Sequence, residues 1–124
     1  KNYTNEEIDV LRTMVMLLIH DLVEIDAGDT YAYDEEGKKT QEEREKKAAD
    51  RIFSMLPEDQ GKKLMEIWQE FEAWETKEAK FARTMDNIQP LIQQHASGGK
   101  AWTEHQVAHS QVMGRNKRTA MVIQ

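Results

Sequence analysis

The sequence predicts an all-α fold in which residues 1–124 form a single domain. Apolar residues recur at steps of three and four along most of the chain, and capping motifs precede two of these segments. No segment of useful length alternates between apolar and polar residues, as a half-buried strand would. A chain of 124 residues is large enough for one core. We therefore expect a compact bundle of about five or six helices.

The first helix is predicted from apolar residues that recur at steps of three and four between Ile8 and Leu22. Thr4 and Glu7 match a capping box, in which each side chain bonds a free backbone amide at the start of a helix. The period predicts one buried stripe, consisting of Ile8, Leu11, Val15, Leu18, Ile19 and Leu22. The period is lost over residues 26–39, where Gly28 and Gly37 predict a loop.

Pro57 separates the next two predicted helices, because proline cannot continue a helix from within. The second helix is predicted to start at another capping pair, Thr40 and Glu43. Its predicted buried positions are Ala48, Ala49, Ile52, Phe53 and Leu56. The third helix is expected to start near Pro57 and to bury Leu64, Ile67, Trp68 and Phe71.

A fourth helix is predicted over residues 77–94, with Pro90 as a possible kink. Its predicted buried positions are Phe81, Met85, Ile88 and Ile92. Gly98 and Gly99 are expected to end it. Residues 102–124 predict one more helix and a basic tail that contains Arg115, Lys117 and Arg118.

Composition excludes several classes of function. A net charge of −6 argues against binding a nucleic-acid polymer, which requires a concentrated basic surface. A small anionic substrate stays compatible with this charge if cations gather locally. The longest apolar run is far shorter than the ~20 residues that span a bilayer, so we expect no membrane insertion. Since the chain has no cysteine, it can form neither disulfides nor a thiol nucleophile, and we expect a cytoplasmic protein.

Acidic residues surround His20 at the end of the first helix. Residues four apart share a helix face, so His20 and Glu24 lie together with Asp21 beside them, and Asp29 follows just beyond the helix. Asp86 is predicted at a core-facing position of the fourth helix, where a carboxylate needs a partner. A divalent metal held jointly by these residues would provide one, and it would activate a water molecule for hydrolysis.

Two segments, IHDLVEIDAGDTYAYDEE and KFARTMDNIQPLIQ, resemble the HD-domain phosphohydrolases, and most closely the branch of HD-domain-containing 2-like proteins and 5′-deoxynucleotidases. The resemblance covers the chain from the helix before His20 to at least His95. An HD dipeptide alone is weak evidence. The order HDLxE, then GD, then a late helix with KxxxxxD is much more specific, because separate features follow in the family's order.

The resemblance implies a role for each matching residue. His20, Asp21 and Asp86 match the family's metal ligands, and Glu24 and Asp29 match the residues that orient or deprotonate the attacking water. Lys80 matches a basic, substrate-binding position. The implied activity is that of a metal-dependent phosphomonoesterase that removes the 5′-phosphate from a nucleoside monophosphate, preferably a deoxyribonucleotide. The resemblance also implies a homodimer, and the ligand set accepts Mn, Co, Mg, Fe or Zn.

One feature departs from the family pattern, which has a further histidine on a helix upstream of the HD pair. No histidine precedes His20 in this sequence, so we expect an N-terminal helix outside it. Two alternatives therefore stay open: a degenerate HD fold that acts as a regulatory or scaffolding module, and an HD phosphohydrolase for a different phosphoester.

Simpler interpretations also stay open for single residues. Asp29 could be a turn or N-cap residue after Gly28, and Glu24 could be an exposed charge at a helix end. The spacing of Trp68 favours the core, whereas Trp74 and Trp102 could equally pack inside or stack on a nucleobase.

Overall fold

The computed structural model describes residues 2–29, 31 and 33–122 of the chain. In this part of the chain the structure is all-helical, as predicted. The helices are α1 (Val10–Ala27), α2 (Glu35–Phe53), α3 (Glu58–Ala73), α4 (Lys77–Ala96), α5 (Lys100–Glu104) and α6 (His109–Asn116), followed by a 3-10 turn at Thr119–Met121. Among the described residues, no helix combines the length and the apolar character that crossing a membrane requires.

Helix α1 is the centre of the fold and packs against α2, α3 and α4. It begins later than the sequence predicted, because Asp9 is its N-cap and accepts a hydrogen bond from the Arg12 amide. The predicted capping box is wrong. The Thr4 hydroxyl instead donates a hydrogen bond to the carbonyl of Glu6, in the segment before the helix.

The predicted buried stripe is wrong at three of its six positions, whereas Ile8 and Ile19 are buried and Val15 is partly buried, as predicted. Leu11 is 73% exposed, Leu18 65% and Leu22 45%, whereas the buried positions are Thr13, Met16, Ile19, His20, Val23 and Ala27. Apolar residues occur on every side of this helix, so their period could not identify the face that meets the core. Five large apolar residues form an exposed row along α1, which consists of Leu11, Met14, Leu18, Leu22 and Ile25.

Helix α2 begins at Glu35, five residues before the predicted start. Asp34 is the N-cap and accepts a hydrogen bond from the Gly37 amide, which leaves Thr40 inside the helix. Ala48, Ala49 and Phe53 are buried as predicted, whereas Leu56 is exposed beyond the helix end. Helix α3 begins after Pro57 and buries three of its four predicted residues, Ile67, Trp68 and Phe71, with Leu64 partly buried.

Helix α4 continues through Pro90 and ends before Gly98 and Gly99. Its buried side chains are small, namely Ala79, Ala82 and Thr84. Phe81, Met85 and Ile88 are only partly buried, and the prediction for Ile92 is wrong because it is 64% exposed. Since small residues allow two helix axes to approach closely, α4 brings its polar residues near α1.

The last predicted helix is divided into two short helices, α5 and α6. The left-handed conformation of Gln106, with φ 54°, lies between them. Both helices pack on α4. The packing places the basic residues after α6 close to the middle of the fold rather than in an extended tail.

Candidate metal centre

The candidate centre forms where the C-terminal half of α1 meets α4. Ligand atoms of His20, Asp21 and Asp86 lie within 4.8 Å of one another. His20 is buried with 6% of its surface exposed, Asp86 is half-buried and Asp21 is exposed. The structure thus brings Asp86 of α4 next to the adjacent residues His20 and Asp21 of α1, and the family resemblance implied these three as one ligand set.

The imidazole of His20 has a different neighbour at each nitrogen. Its Nε2 atom lies 3.0 Å from Oε1 of Glu24 and 4.0 Å from Oδ2 of Asp86. Its Nδ1 atom lies 4.0 Å from Oε1 of Glu72, a residue of α3. The Nε2 atom therefore faces the candidate ligands, and the Nδ1 atom faces away from them.

Gly28 ends α1 in a conformation that favours glycine, with φ 77°, and its amide donates a hydrogen bond to the Glu24 carbonyl at 2.8 Å. The chain then turns so that Asp29 lines the same cavities as Glu24. The sequence predicted that Asp29 lies near the ligands because it follows just beyond the end of the first helix. The simpler role of Asp29 as a turn residue is compatible with the same geometry.

Negative charge accumulates at this centre. Burial raises the pKa of Glu24, which the neighbouring His20 opposes, and the carboxylates of Asp29, Asp21 and Asp86 raise it further. Such a group of carboxylates around one imidazole nitrogen is the kind of oxygen and nitrogen donor set that divalent cations prefer. The residues present therefore fit a divalent metal.

A cavity of about 390 Å³ opens beside His20, Glu24 and Asp86. Its wall carries five cationic side chains, which are Lys38, Arg83, Arg115, Lys117 and Arg118. Sequence reasoning assigned the last three to a basic tail and missed this role. A strongly acidic chain thus gathers cations at one place, next to its candidate ligands.

A second cavity of about 310 Å³ adjoins the first and shares five lining residues with it, which are Glu24, Asp29, Asp86, Asn87 and Arg115. Its wall contains aromatic rings and side-chain amides, among them Tyr31, Tyr33, Trp102, Asn87, Gln93 and Gln94. The rings of Tyr31 and Tyr33 lie edge to face with centroids 5.6 Å apart. Trp102, which the sequence left undecided, is thus half-buried at a cavity wall.

Lys80 is exposed and lies in a third cavity, of about 290 Å³, with Lys77. Trp74 and Arg118 line both this cavity and the one beside His20, so the two adjoin. The structure therefore places Lys80 near the candidate centre but not among the residues that line its cavity. Its substrate-binding role stays a prediction.

Sequence reasoning also missed Glu72 and Arg83. Oε2 of Glu72 pairs with a guanidinium nitrogen of Arg83 at 3.1 Å, and the same guanidinium lies 4.3 Å from the centroid of the Phe71 ring. A signal was present, because Glu72 lies four residues after Trp68 and so shares the core-facing side of α3. This was the same argument that identified Asp86.

Comparisons with known proteins identify the family of this chain. The sequence model of the HD domain family matches residues 1–123. The 5′-deoxynucleotidase HDDC2 of Mus musculus is 35% identical over 82 residues, which are 66% of this chain and 41% of the relative. The Bos taurus protein of the same name is 32% identical over 89 residues, covering 72% of this chain and 43% of the relative. The chain thus spans about two fifths of the length of these curated relatives.

A solved structure is also similar. The crystal structure of a protein described as a predicted metal-dependent phosphohydrolase, from Magnetospirillum magnetotacticum MS-1, superposes with a TM-score of 0.91 at 43% sequence identity. The match covers 98% of this chain and 61% of the other. It supports the fold.

Proposed function

The chain belongs to the HD domain family, and from this premise we propose that it is the catalytic part of a metal-dependent phosphohydrolase that removes the 5′-phosphate from deoxynucleoside monophosphates. One observation carries the proposal: His20, Asp21 and Asp86 converge beside a cavity lined by cations. The names of its relatives, 5′-deoxynucleotidase and metal-dependent phosphohydrolase, support the same reaction.

The divalent cation would be held by His20, Asp21 and Asp86. When bound, such a cation lowers the pKa of a water molecule and offsets the negative charge that grows on phosphate. Glu24 lies 3.0 Å from the Nε2 atom of His20, where its carboxylate would accept the proton of the attacking water. Asp29 lines the same cavity and would orient that water.

The phosphate group would lie in the cationic cavity. Lys38 of α2 and Arg115 and Lys117 at the end of α6 supply positive charge to the wall of this cavity. One guanidinium group can donate two parallel hydrogen bonds to two oxygens of a phosphate. Such a site binds a terminal phosphate more tightly than a neutral ester. The cations thus compensate locally for the net charge of −6 and permit an anionic substrate to enter.

The nucleoside would occupy the second cavity, which adjoins the same carboxylates. Its aromatic rings provide stacking surfaces for a base, and its amides provide donors and acceptors for the edges of the base and the sugar. A small-molecule nucleotide would therefore bridge the two cavities with its phosphate ester between them. A polymer is not expected here, since the overall charge is negative.

A direct test measures phosphate release from 5′-dAMP and 5′-AMP with Co²⁺, Mn²⁺ or Mg²⁺. We expect faster release from the deoxynucleotide and a loss of at least 100-fold in Asp21→Asn. The matched control is Asp50→Asn, which removes an exposed carboxylate of α2 away from the centre. No release with any of these metals, or equal release by Asp21→Asn, would contradict the proposal.

We further propose a homodimer, which the resemblance suggests, and a cytoplasmic location, which the cysteine-free composition suggests. Sedimentation velocity of the full-length protein at several concentrations tests the dimer. A 2′,3′-cyclic nucleotide in the release assay tests the alternative of a different phosphoester. If the protein binds metal but hydrolyses none of these compounds, the scaffolding alternative is favoured.

A further inference from the structure

Glu72 is a partly buried carboxylate that has only half of its hydrogen-bonding capacity in use. Its Oε2 atom is paired with Arg83, whereas its Oε1 atom is buried and has no hydrogen-bond partner among the described residues. A buried acceptor without a donor is costly, so native structures retain one mainly where it has a purpose. The Nδ1 atom of His20 lies 4.0 Å from this oxygen.

His20 is held in one orientation around this contact. Its ring packs on that of Phe71, with centroids 4.4 Å apart and an angle of 36° between the planes. Its Nε2 atom lies 3.0 Å from Glu24 and 4.0 Å from Asp86, and its Nδ1 atom lies 4.0 Å from Glu72. Because Phe71 and Glu72 are neighbours on α3, one helix supplies both the packing surface and the carboxylate.

Arg83 in turn restricts Glu72. One guanidinium nitrogen binds the carboxylate at 3.1 Å, and its Nε atom donates a hydrogen bond to the Phe71 carbonyl at 3.1 Å. The arginine therefore ties α4, which carries the candidate ligand Asp86, to the two residues of α3 that contact His20. It also fixes which oxygen of Glu72 points at the imidazole.

We propose that Glu72, held by Arg83, is a positioning residue that accepts a hydrogen bond from the Nδ1–H group of His20 and so directs the Nε2 lone pair toward a divalent cation. A neutral imidazole carries its proton on one nitrogen only, and Glu24 offers an acceptor at Nε2. A second carboxylate at Nδ1 provides the acceptor that the proton needs when a cation takes the Nε2 lone pair. A contraction of about 1 Å from 4.0 Å would form the bond. The inference rests on one part of the proposed function, which is the binding of a divalent cation at His20.

Glu72→Gln tests this proposal with nearly unchanged size. Because Arg83 donates, the amide oxygen of the new side chain would turn to Arg83, and its NH₂ group would face His20. An NH₂ donor favours the opposite tautomer, with the proton on Nε2. We therefore expect the affinity for Co²⁺, measured by titration calorimetry, to fall by about 10-fold to 100-fold, as for other carboxylates behind a metal-bound histidine.

Glu70→Gln is a matched control on the same helix. Glu70 also pairs with an arginine, Arg12, at 2.7 Å, but it does not contact His20. If loss of an ion pair merely loosened α3, the two variants would lose Co²⁺ affinity alike, and the proposal would be wrong. A loss confined to Glu72→Gln supports it.

A measurement on the unaltered protein keeps the test independent of whether Glu72→Gln folds. In the zinc-loaded protein, ¹⁵N spectra of the His20 ring should show metal on Nε2 and a proton on Nδ1. Metal on Nδ1 would overturn the proposal. Neither measurement uses catalysis, so a protein that binds Co²⁺ through this arrangement but hydrolyses no nucleotide would refute the proposed function and leave this inference intact.

Discussion

Gly61→Ala should destabilise the protein, although the same substitution stabilises most helices. Gly61 is buried in α3, and a Cβ atom added there would lie 2.4 Å from the carbonyl oxygen of Phe53, the last residue of α2. That oxygen belongs to the backbone, so it cannot turn away as a flexible side chain would. The two helices would have to separate by roughly 1 Å to reach an ordinary contact distance.

The expected magnitude follows from two opposing contributions. Alanine is favoured over glycine inside a helix by about 1 kcal/mol. Overpacking a tight contact costs about 1–3 kcal/mol. We therefore expect the free energy of unfolding to fall by about 1 kcal/mol in Gly61→Ala, which for a urea m-value of about 1–3 kcal/mol/M lowers the midpoint by roughly 0.5 M.

Gly114→Ala is the matched control, because Gly114 lies inside α6 and an added Cβ atom would meet nothing within 4 Å. It should keep the full helical gain and raise the midpoint. Urea titrations followed by circular dichroism at 222 nm compare the two. If Gly61→Ala is as stable as the unaltered protein, the close approach of α2 and α3 is not a constraint and the reasoning is refuted.

Three further predictions concern the metal, the substrate and pH. Co²⁺ should raise the melting temperature of the protein but not that of Asp86→Asn, and an equal rise in both would contradict the ligand assignment. Arg115→Met should raise KM for 5′-dAMP by about 10-fold with a smaller change in kcat, because a charged hydrogen bond contributes about 1.5–3 kcal/mol to binding; an unchanged KM argues against phosphate contact. Burial tends to raise the pKa of Glu70, but hydrogen bonds from Arg12 and Thr76 lower it overall below 4.5. Since a lowered pKa stabilises the fold only while the group is ionised, Glu70→Gln should be less stable than the unaltered protein at pH 7, and the difference should vanish as the pH falls well below 4.5. A difference that persists at pH 2 would show that it does not arise from ionisation.

The positions of the helices and the buried faces of α2 and α3 could largely be predicted from the sequence, whereas the buried face of α1 could not. Phe53, Trp68 and Phe71 follow clear helical periods with polar residues between them, so their burial was foreseeable. Helix α1 offers no such contrast, because apolar side chains surround it. Its buried face was decided by the three helices that pack on it, which is tertiary information.

The candidate centre was predictable where one short motif carries it. His20, Asp21 and Glu24 are neighbours on one helix, so spacing alone brings them together. Arg115 and Lys117 reach the centre because the chain changes direction at Gln106, between α5 and α6. No local sequence pattern predicts that turn. Glu72 was recognisable as a carboxylate on a core-facing position, but its meeting with His20 required the packing of α3 on α1.

The exposed row on α1 affects how the protein should be handled. Large apolar side chains aligned along four turns of one helix form a contiguous apolar surface. Single exposed apolar side chains, by contrast, are common on protein surfaces. We expect the folded protein of residues 1–124 to bind environment-sensitive dyes through this row. Dye-based melting curves would then begin at high fluorescence before any unfolding. Circular dichroism or calorimetry at low protein concentration avoids that artefact and is the sounder way to follow its unfolding.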